Sequence, residues 1–263
     1  MKKTLLTVMF LVAIACTFII VRAYNYYSPP QLREPYKVYG NNNNDDTLRI
    51  AFIGDSWAYM HKSHNCKIAQ IIEDSIQYPV SVNSFGICGL TSKEIYESLF
   101  ENPKFKYFLQ ERSYNYCIIS AGINDTYKKM NSSYYKKSMK DIIDFLLANH
   151  IHPIILEIPD YNINQAYNRQ KIDKKLLRRL SMLVNNTSLD CKQEFRDALD
   201  ELINAKGYKD KVSIIRYKSW NIDYKNDLKR LYLKDGMHLN EDGYQTLDSK
   251  IVDTISQQFA NNL

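Results

Sequence analysis

From residue 48 onward, short apolar runs alternate with longer stretches in which apolar side chains recur every three or four positions. The runs at 48–53, 80–83, 116–120, 153–158 and 212–215 are rich in β-branched residues and show little apolar–polar alternation. That is the pattern of strands covered on both faces of a parallel sheet. Between and after them the spacing predicts helices over roughly 65–77, 91–100, 133–149, 168–186, 190–206 and 241–259. In the third of these, Ile142, Ile143, Leu146 and Leu147 share one face opposite the charges. Strand–helix alternation of this kind predicts a three-layer α/β/α sandwich around a mostly parallel five-stranded sheet. Ligands of such sheets bind beyond the carboxyl ends of the strands, which makes those ends the places to look for chemistry.

The first fifth of the chain follows a different pattern. Lys2 and Lys3 precede an unbroken apolar run over 5–21, closed by Arg22. The run is near the lower limit of a bilayer span, about 17–25 residues, and longer than the usual signal-peptide core of about 7–15. The lysine pair stays on the cytoplasmic side, which puts the remainder outside. The favoured outcome is an uncleaved signal anchor. A cleaved signal peptide and a lipoprotein modified at Cys16 are the alternatives, although "VAIAC" is followed by an apolar stretch instead of a polar one. Each outcome exports the chain, to a periplasmic or cell-surface location if it stays anchored, or into secretion if the N-terminal segment is cleaved. Residues 23–47 hold Pro29, Pro30, Pro35 and an Asn/Asp tract, a composition that predicts an extended linker. A single domain over 48–263 follows.

Composition changes this picture little. Of 263 residues, 45% are hydrophobic and 24% charged, as in ordinary globular domains. The 21 tyrosines accompany an excess of Asn and Lys, as nucleotide bias would produce, so a tyrosine carries weight only beside chemistry. Lys2, Lys3 and Arg22 supply three of the six net positive charges and residues 1–22 hold no acid, which leaves +3 for the exported part. That balance, without a basic stripe, excludes nucleic acid as the expected partner. Cys117 falls in an apolar strand-like run and reads as a buried thiol. Export permits a Cys66–Cys88 disulfide, which the sequence leaves open. No CxxC pair is present, so a zinc ribbon is not expected; neither metal nor cofactor is.

Four short motifs sit at the predicted strand ends. They are "GDS" (54–56), "NSFGICGLTS" (83–92), "SAGINDT" (120–126) and, before the last helix, "DGMHLNEDGY" (235–244). Each alone is a common turn or cap. Together and in this order they resemble the blocks of the SGNH hydrolases, the GDSL esterase family, and the resemblance spans the domain from first strand to last helix. It implies that Ser56 is the nucleophile, His238 the general base and later acid, and Asp235 the carboxylate that fixes the imidazole tautomer. It also implies an oxyanion hole made of the Ser56 and Gly89 backbone N–H groups and the Asn124 amide. Gly86 then serves the turn, and Asp55 is scaffold. Ser56 itself is expected to cap the helix that follows it.

Several neighbouring residues have competing readings. Trp57, Tyr161 and Tyr167 are candidate substrate contacts. The last two lie with Asn162 and Asn164 in a loop, 159–171, expected on the site's rim, where they could equally form an ordinary solvated loop. Trp57 could simply pack. His61 and His64 lack a nearby acidic third ligand and read as surface histidines. The Asn124-Asp125-Thr126 sequon suits a bacterial exported protein better than a eukaryotic one, because a glycan on Asn124 would block the site.

The expected function is hydrolysis of O-acyl esters, O-acetyl groups on an acylated glycan by preference, through an acyl-serine intermediate. An envelope polysaccharide O-acyltransferase, or an esterase of lipids or lysophospholipids, could use the same site. No long apolar lid supports a lipase. An inactive glycan-binding domain fits less well, because no catalytic residue is missing. An α/β-hydrolase is excluded: "GDSWA" lacks the final glycine of G-x-S-x-G and follows the first strand.

Overall fold

The computed structural model of the chain describes residues 2–37, 46–110, 112–205 and 207–261. The Asn/Asp tract of the expected linker, all but Asp46, lies outside the described residues, as do the last two residues of the expected domain. In chain order the first elements are α1 (Lys2–Tyr27), β1 (Leu48–Gly54), α2 (Ser56–His61), α3 (Asn65–Ile76) and β2 (Val80–Gly86). Next come α4 (Ser92–Glu101), α5 (Pro103–Gln110), β3 (Tyr116–Ser120), α6 (Ile123–Lys128), α7 (Ser132–Ala148) and β4 (His152–Leu156). The chain continues through α8 (Ile163–Asn168), α9 (Ile172–Asn185), α10 (Lys192–Ala205), β5 (Ser213–Ile215), α11 (Tyr224–Leu231) and α12 (Glu241–Asn261).

All five strands are parallel, in the order β2-β1-β3-β4-β5. Helices α3 and α12 pack together on the sheet, and α7 packs with α4 and α10 in a separate layer. The apolar runs explain why: every residue of β1 and β3 is buried, and Ile142, Ile143 and Leu146 of α7 are fully buried. Each such side chain contributes about 1.5–3 kcal/mol of burial. The expected three-layer sandwich is therefore the fold.

The long helices agree with the spacing, whereas α2, α5, α6, α8 and α11 were not expected. None exceeds eight residues, which is too short for a 3.6-residue period to register. Strand register positions the site. Gly54, the last residue of β1, is aligned with Gly86 on one side and Ser120 on the other, so three loops leave the sheet at one level.

The segment expected as an extended linker behaves differently in its described part. Helix α1 runs on through Arg22 to Tyr27, and residues 28–37 lie against the domain. The Arg33 N–H donates to Tyr96 Oη (2.9 Å), and Tyr36 Oη donates to Leu99 O (2.7 Å). The Tyr36 ring meets Phe100 and Phe145 edge-on, and Pro30 is buried. Hydrogen bonds, the Arg33–Glu101 ion pair and the Tyr36 ring contacts hold the segment to α4 and α7. Within α1, the 22-residue stretch Leu6–Tyr27 contains an 18-residue window of mean hydropathy 2.4 with no buried residue, long enough to cross a bilayer by length and composition.

Candidate active site

The turn after β1 is organised by Asp55. It is the N-cap of α2, and its carboxylate accepts the Trp57 N–H (3.0 Å), the Ser120 hydroxyl (2.8 Å) and, more loosely, the Asn124 amide (3.4 Å). Complete burial pushes this carboxyl up to about 6, against the lowering effect of the Trp57 and Ser120 hydrogen bonds. Asp55, not Ser56, caps the helix. The expectation of a capping serine is corrected, because the neighbouring carboxylate already takes the N–H a cap would satisfy.

Ser56 opens α2, and its Oγ lies 2.9 Å from His238 Nε2. The other ring nitrogen, Nδ1, is 2.6 Å from Asp235 Oδ2. A carboxylate beside Nδ1 assigns the proton there and leaves the Nε2 lone pair for the serine hydroxyl. The three-residue spacing works because Asp235 Oδ1 also accepts the N–H groups of Met237 (2.9 Å) and His238 (3.0 Å), folding the loop into a tight turn. A Tyr232–Leu239 bridge and the bond from Tyr224 Oη to Gly236 O (2.7 Å) fix that loop. Partial burial acts to raise the Asp235 pKa, but hydrogen bonds from the His238 ring and from the two backbone N–H groups outweigh it. The carboxyl is held below its ordinary value.

Gly89 and Asn124 line a cavity of about 690 Å³ together with all three of these residues. Gly89 has φ +83°, which strains any residue with a side chain, while a methyl there would meet nothing within 4 Å. Gly86 is different from expectation. It ends β2 and serves close approach instead of a turn, since a methyl there would overlap the backbone of Tyr59 and Asp55. Gly86→Ala is expected to push α2 off the sheet and lower stability by about 1–3 kcal/mol. Urea unfolding checks this; a wild-type midpoint would contradict the packing assigned to it.

The expected substrate contacts fare less well. Trp57 is buried against Trp220 and Tyr244, and Tyr161 is buried with its hydroxyl 2.9 Å from that of Thr126. Tyr167 accepts from Arg179 Nε (3.2 Å) and is not among the cavity residues. Asn162 caps α8 by accepting the Gln165 N–H (2.9 Å), and Asn164 is exposed. The loop does reach the rim, but through Ala166, Arg169 and Gln170.

Tyr59 and Met60 also line the cavity. Sequence reasoning missed them as wall residues, although a signal was available: they follow Ser56 by three and four residues and so share its helix face. Trp57, one residue on, faces the core. His61 is likewise no surface histidine. It is fully buried, with Nε2 2.7 Å from Asp248 Oδ1. Cys66 and Cys88 are separate exposed thiols, and Cys117 is buried. Among the described residues no cluster of three His, Cys, Asp or Glu side chains is arranged to hold a metal.

Comparison with known proteins agrees with this architecture. The lipase/acylhydrolase from Enterococcus faecalis is similar at TM-score 0.55 and 15% identity, over 80% of this chain and 96% of that one. The acetyl xylan esterase AlAXEase is similar at 0.54 and 13%, over 79% and 100%. The psychrotrophic esterase EstA from Pseudoalteromonas sp. is similar at 0.53 and 14%, over 82% and 100%. At these identities the likeness shows the fold. No curated protein matches the sequence. The sequence profile of the GDSL-like Lipase/Acylhydrolase family, however, matches residues 52–246. That match takes in the strand-end motifs from Ser56 to His238, and with the parallel sheet that gathers them it makes this chain a member of the GDSL-like lipase/acylhydrolase family, the SGNH hydrolases.

Proposed function

We propose that the protein is an exported, membrane-tethered serine esterase that hydrolyses O-acyl esters, with O-acetyl groups on carbohydrate as the preferred class. The observation that carries this reading is the hydrogen-bonded chain Ser56–His238–Asp235, at 2.9 and 2.6 Å, on the wall of a cavity shared with Gly89 and Asn124. As Ser56 Oγ attacks the ester carbonyl, its proton passes to His238 Nε2. Asp235 stays ionised and stabilises the imidazolium. The carbonyl oxygen becomes an oxyanion facing the Ser56 and Gly89 N–H groups and the Asn124 amide. The first N–H groups of a helix have no partner within it; Asp55 takes that of Trp57, and that of Ser56 meets no acceptor among the described residues. Collapse expels the alcohol, which takes the proton from His238. Water, activated by the same imidazole, then releases the acid.

Asn124→Ala is expected to lower kcat by about 10²–10³ with little loss of stability, since its bond to Asp55 is long at 3.4 Å. Equal losses in rate and in urea stability would contradict an oxyanion role. For the substrate, Arg169, Gln170 and Tyr127 give the rim a polar side toward a sugar, with the Gln170 amide donating to the Tyr127 hydroxyl and the Arg178 guanidinium over the Tyr127 ring. One similar fold is named as an acetyl xylan esterase. Tyr59, Met60, Ala166 and Met237 give the cavity an apolar side, which favours as a second reading the ester of a longer acyl chain. Release of acetate from acetylated xylan, faster than hydrolysis of p-nitrophenyl esters of long acids, is the expected result. Preference for long chains would select the second reading, and turnover only with an added glycan acceptor would select acyl transfer.

A further inference from the structure

Helix α9 is amphipathic in the reverse sense. A surface helix normally packs its apolar face inward, and neighbouring α10 does so, burying Phe195, Leu199 and Leu202. In α9 the buried residues are Ser181 and Asn185. Ser181 Oγ is hydrogen-bonded to Tyr27 Oη and to Leu177 O, and Asn185 Nδ2 donates to Lys129 O (2.7 Å). The face turned to solvent carries Ile172, Leu176, Leu177, Leu180, Leu183 and Val184, each 50–86% exposed. At about 100° per residue these six fall within an arc of about 140°, interrupted only by Asp173 in the first turn. Scattered apolar residues on a surface need no explanation, but a contiguous stripe of six marks a contact.

Two observations say what it contacts. The first is continuity with α1. Tyr27, which ends that apolar helix, is bonded to Ser181 of α9, and Tyr26 and Tyr27 enclose a cleft with Lys174, Leu177 and Arg178. The second is charge. Lys171, Lys174, Lys175, Arg178 and Arg179 lie within nine residues against one acid, Asp173. Lys175 and Arg179 form one edge of the apolar arc, both beside the Tyr167 ring or hydroxyl. An apolar stripe with a basic edge matches the acyl–headgroup boundary of an anionic membrane.

We propose that α9 lies in the surface of the bilayer that α1 crosses, with its leucine-rich stripe among the acyl chains and its basic edge at anionic headgroups. The proposal rests on the reading of α1 as a membrane segment. Its consequence concerns the site: Tyr127 and Gln170 line both the α1–α9 cleft and the catalytic cavity, so docking of α9 sets the cavity beside the membrane surface.

The test uses full-length protein in vesicles of phosphatidylcholine and phosphatidylglycerol, with plain or brominated acyl chains. The chain has two tryptophans, Trp57 and Trp220, both buried, so the wild type supplies the baseline. Leu176→Trp, and independently Leu183→Trp, are expected to add blue-shifted emission that brominated lipid quenches. Added emission at the water-exposed wavelength, unaffected by bromine, overturns the proposal. A blue shift that bromine leaves intact and that fades as protein is diluted in the vesicles assigns the stripe to a second copy, and overturns it too. Phe10→Trp keeps the two readings apart. If it is not quenched, α1 is not in the membrane, while the α9 variants still report on α9 directly.

Discussion

Ser56→Ala is expected to lower kcat for p-nitrophenyl acetate by about 10⁶-fold, the scale seen when a serine hydrolase loses its nucleophile. Thermal unfolding is expected to stay at the wild-type midpoint. The two expectations are separable because of how α2 begins. The hydroxyl bonds His238 Nε2 at 2.9 Å, while the helix is capped by Asp55 through the Trp57 N–H. Removing the hydroxyl therefore leaves the cap, the backbone donor of Ser56 and the packing of Trp57 in place. A wild-type rate would remove Ser56 from the mechanism. A fall in rate matched by a fall in stability would make it a structural residue.

Asp235→Asn is expected to cost about 10⁴ in kcat, the effect of putting the imidazole in the wrong tautomer. The amide oxygen of asparagine still accepts the N–H groups of Met237 and His238, as Oδ1 does now, so the loop keeps its shape. Its amide nitrogen, however, donates to the histidine where Oδ2 accepted at 2.6 Å. Nδ1 then becomes the acceptor and Nε2 carries the proton, facing the serine with nothing to receive one. The wild-type carboxyl is held below its ordinary value. Such a group adds stability that is fully present above the unfolded carboxylate pKa of about 3.9 and is lost as pH falls through the lower folded value. At neutral pH the wild type has that stabilisation in full and the variant lacks it, so the unfolding midpoint should fall modestly while the main loss appears in kcat. A rate within tenfold of wild type would contradict the role given to Asp235.

The parts of this site that were legible in the sequence are those fixed by strand ends. Ser56, Gly89 and Asn124 each follow a strand of a parallel sheet, and β-branched apolar runs report such strands plainly. Parallel register then brings Gly54, Gly86 and Ser120 level, so motifs 30 to 70 residues apart in sequence converge. His238 and Asp235 were legible because their spacing lies within one turn of chain. The walls were not. Trp57 and Tyr59 differ only in helical phase, and α2, six residues long, is too short for its phase to be read. Tyr161 and Tyr167 looked alike in a tyrosine-rich loop, yet one is anchored to Thr126 and the other faces Arg179. His61 was misread because its partner, Asp248, lies 187 positions away. Helix α9 was visible as an amphipathic stretch, but periodicity gives a helix two faces without saying which is turned inward. Its outward stripe required the fold.

The central claim is that Ser56 is the nucleophile activated by His238, and covalent capture tests it most directly. Full-length protein treated with a fluorophosphonate and mapped by peptide mass spectrometry is expected to carry one adduct, on Ser56, with activity lost in proportion to labelling. His238→Ala is expected to label far more slowly. An inhibited enzyme with its adduct on another residue, or full activity with Ser56 modified, would contradict the account.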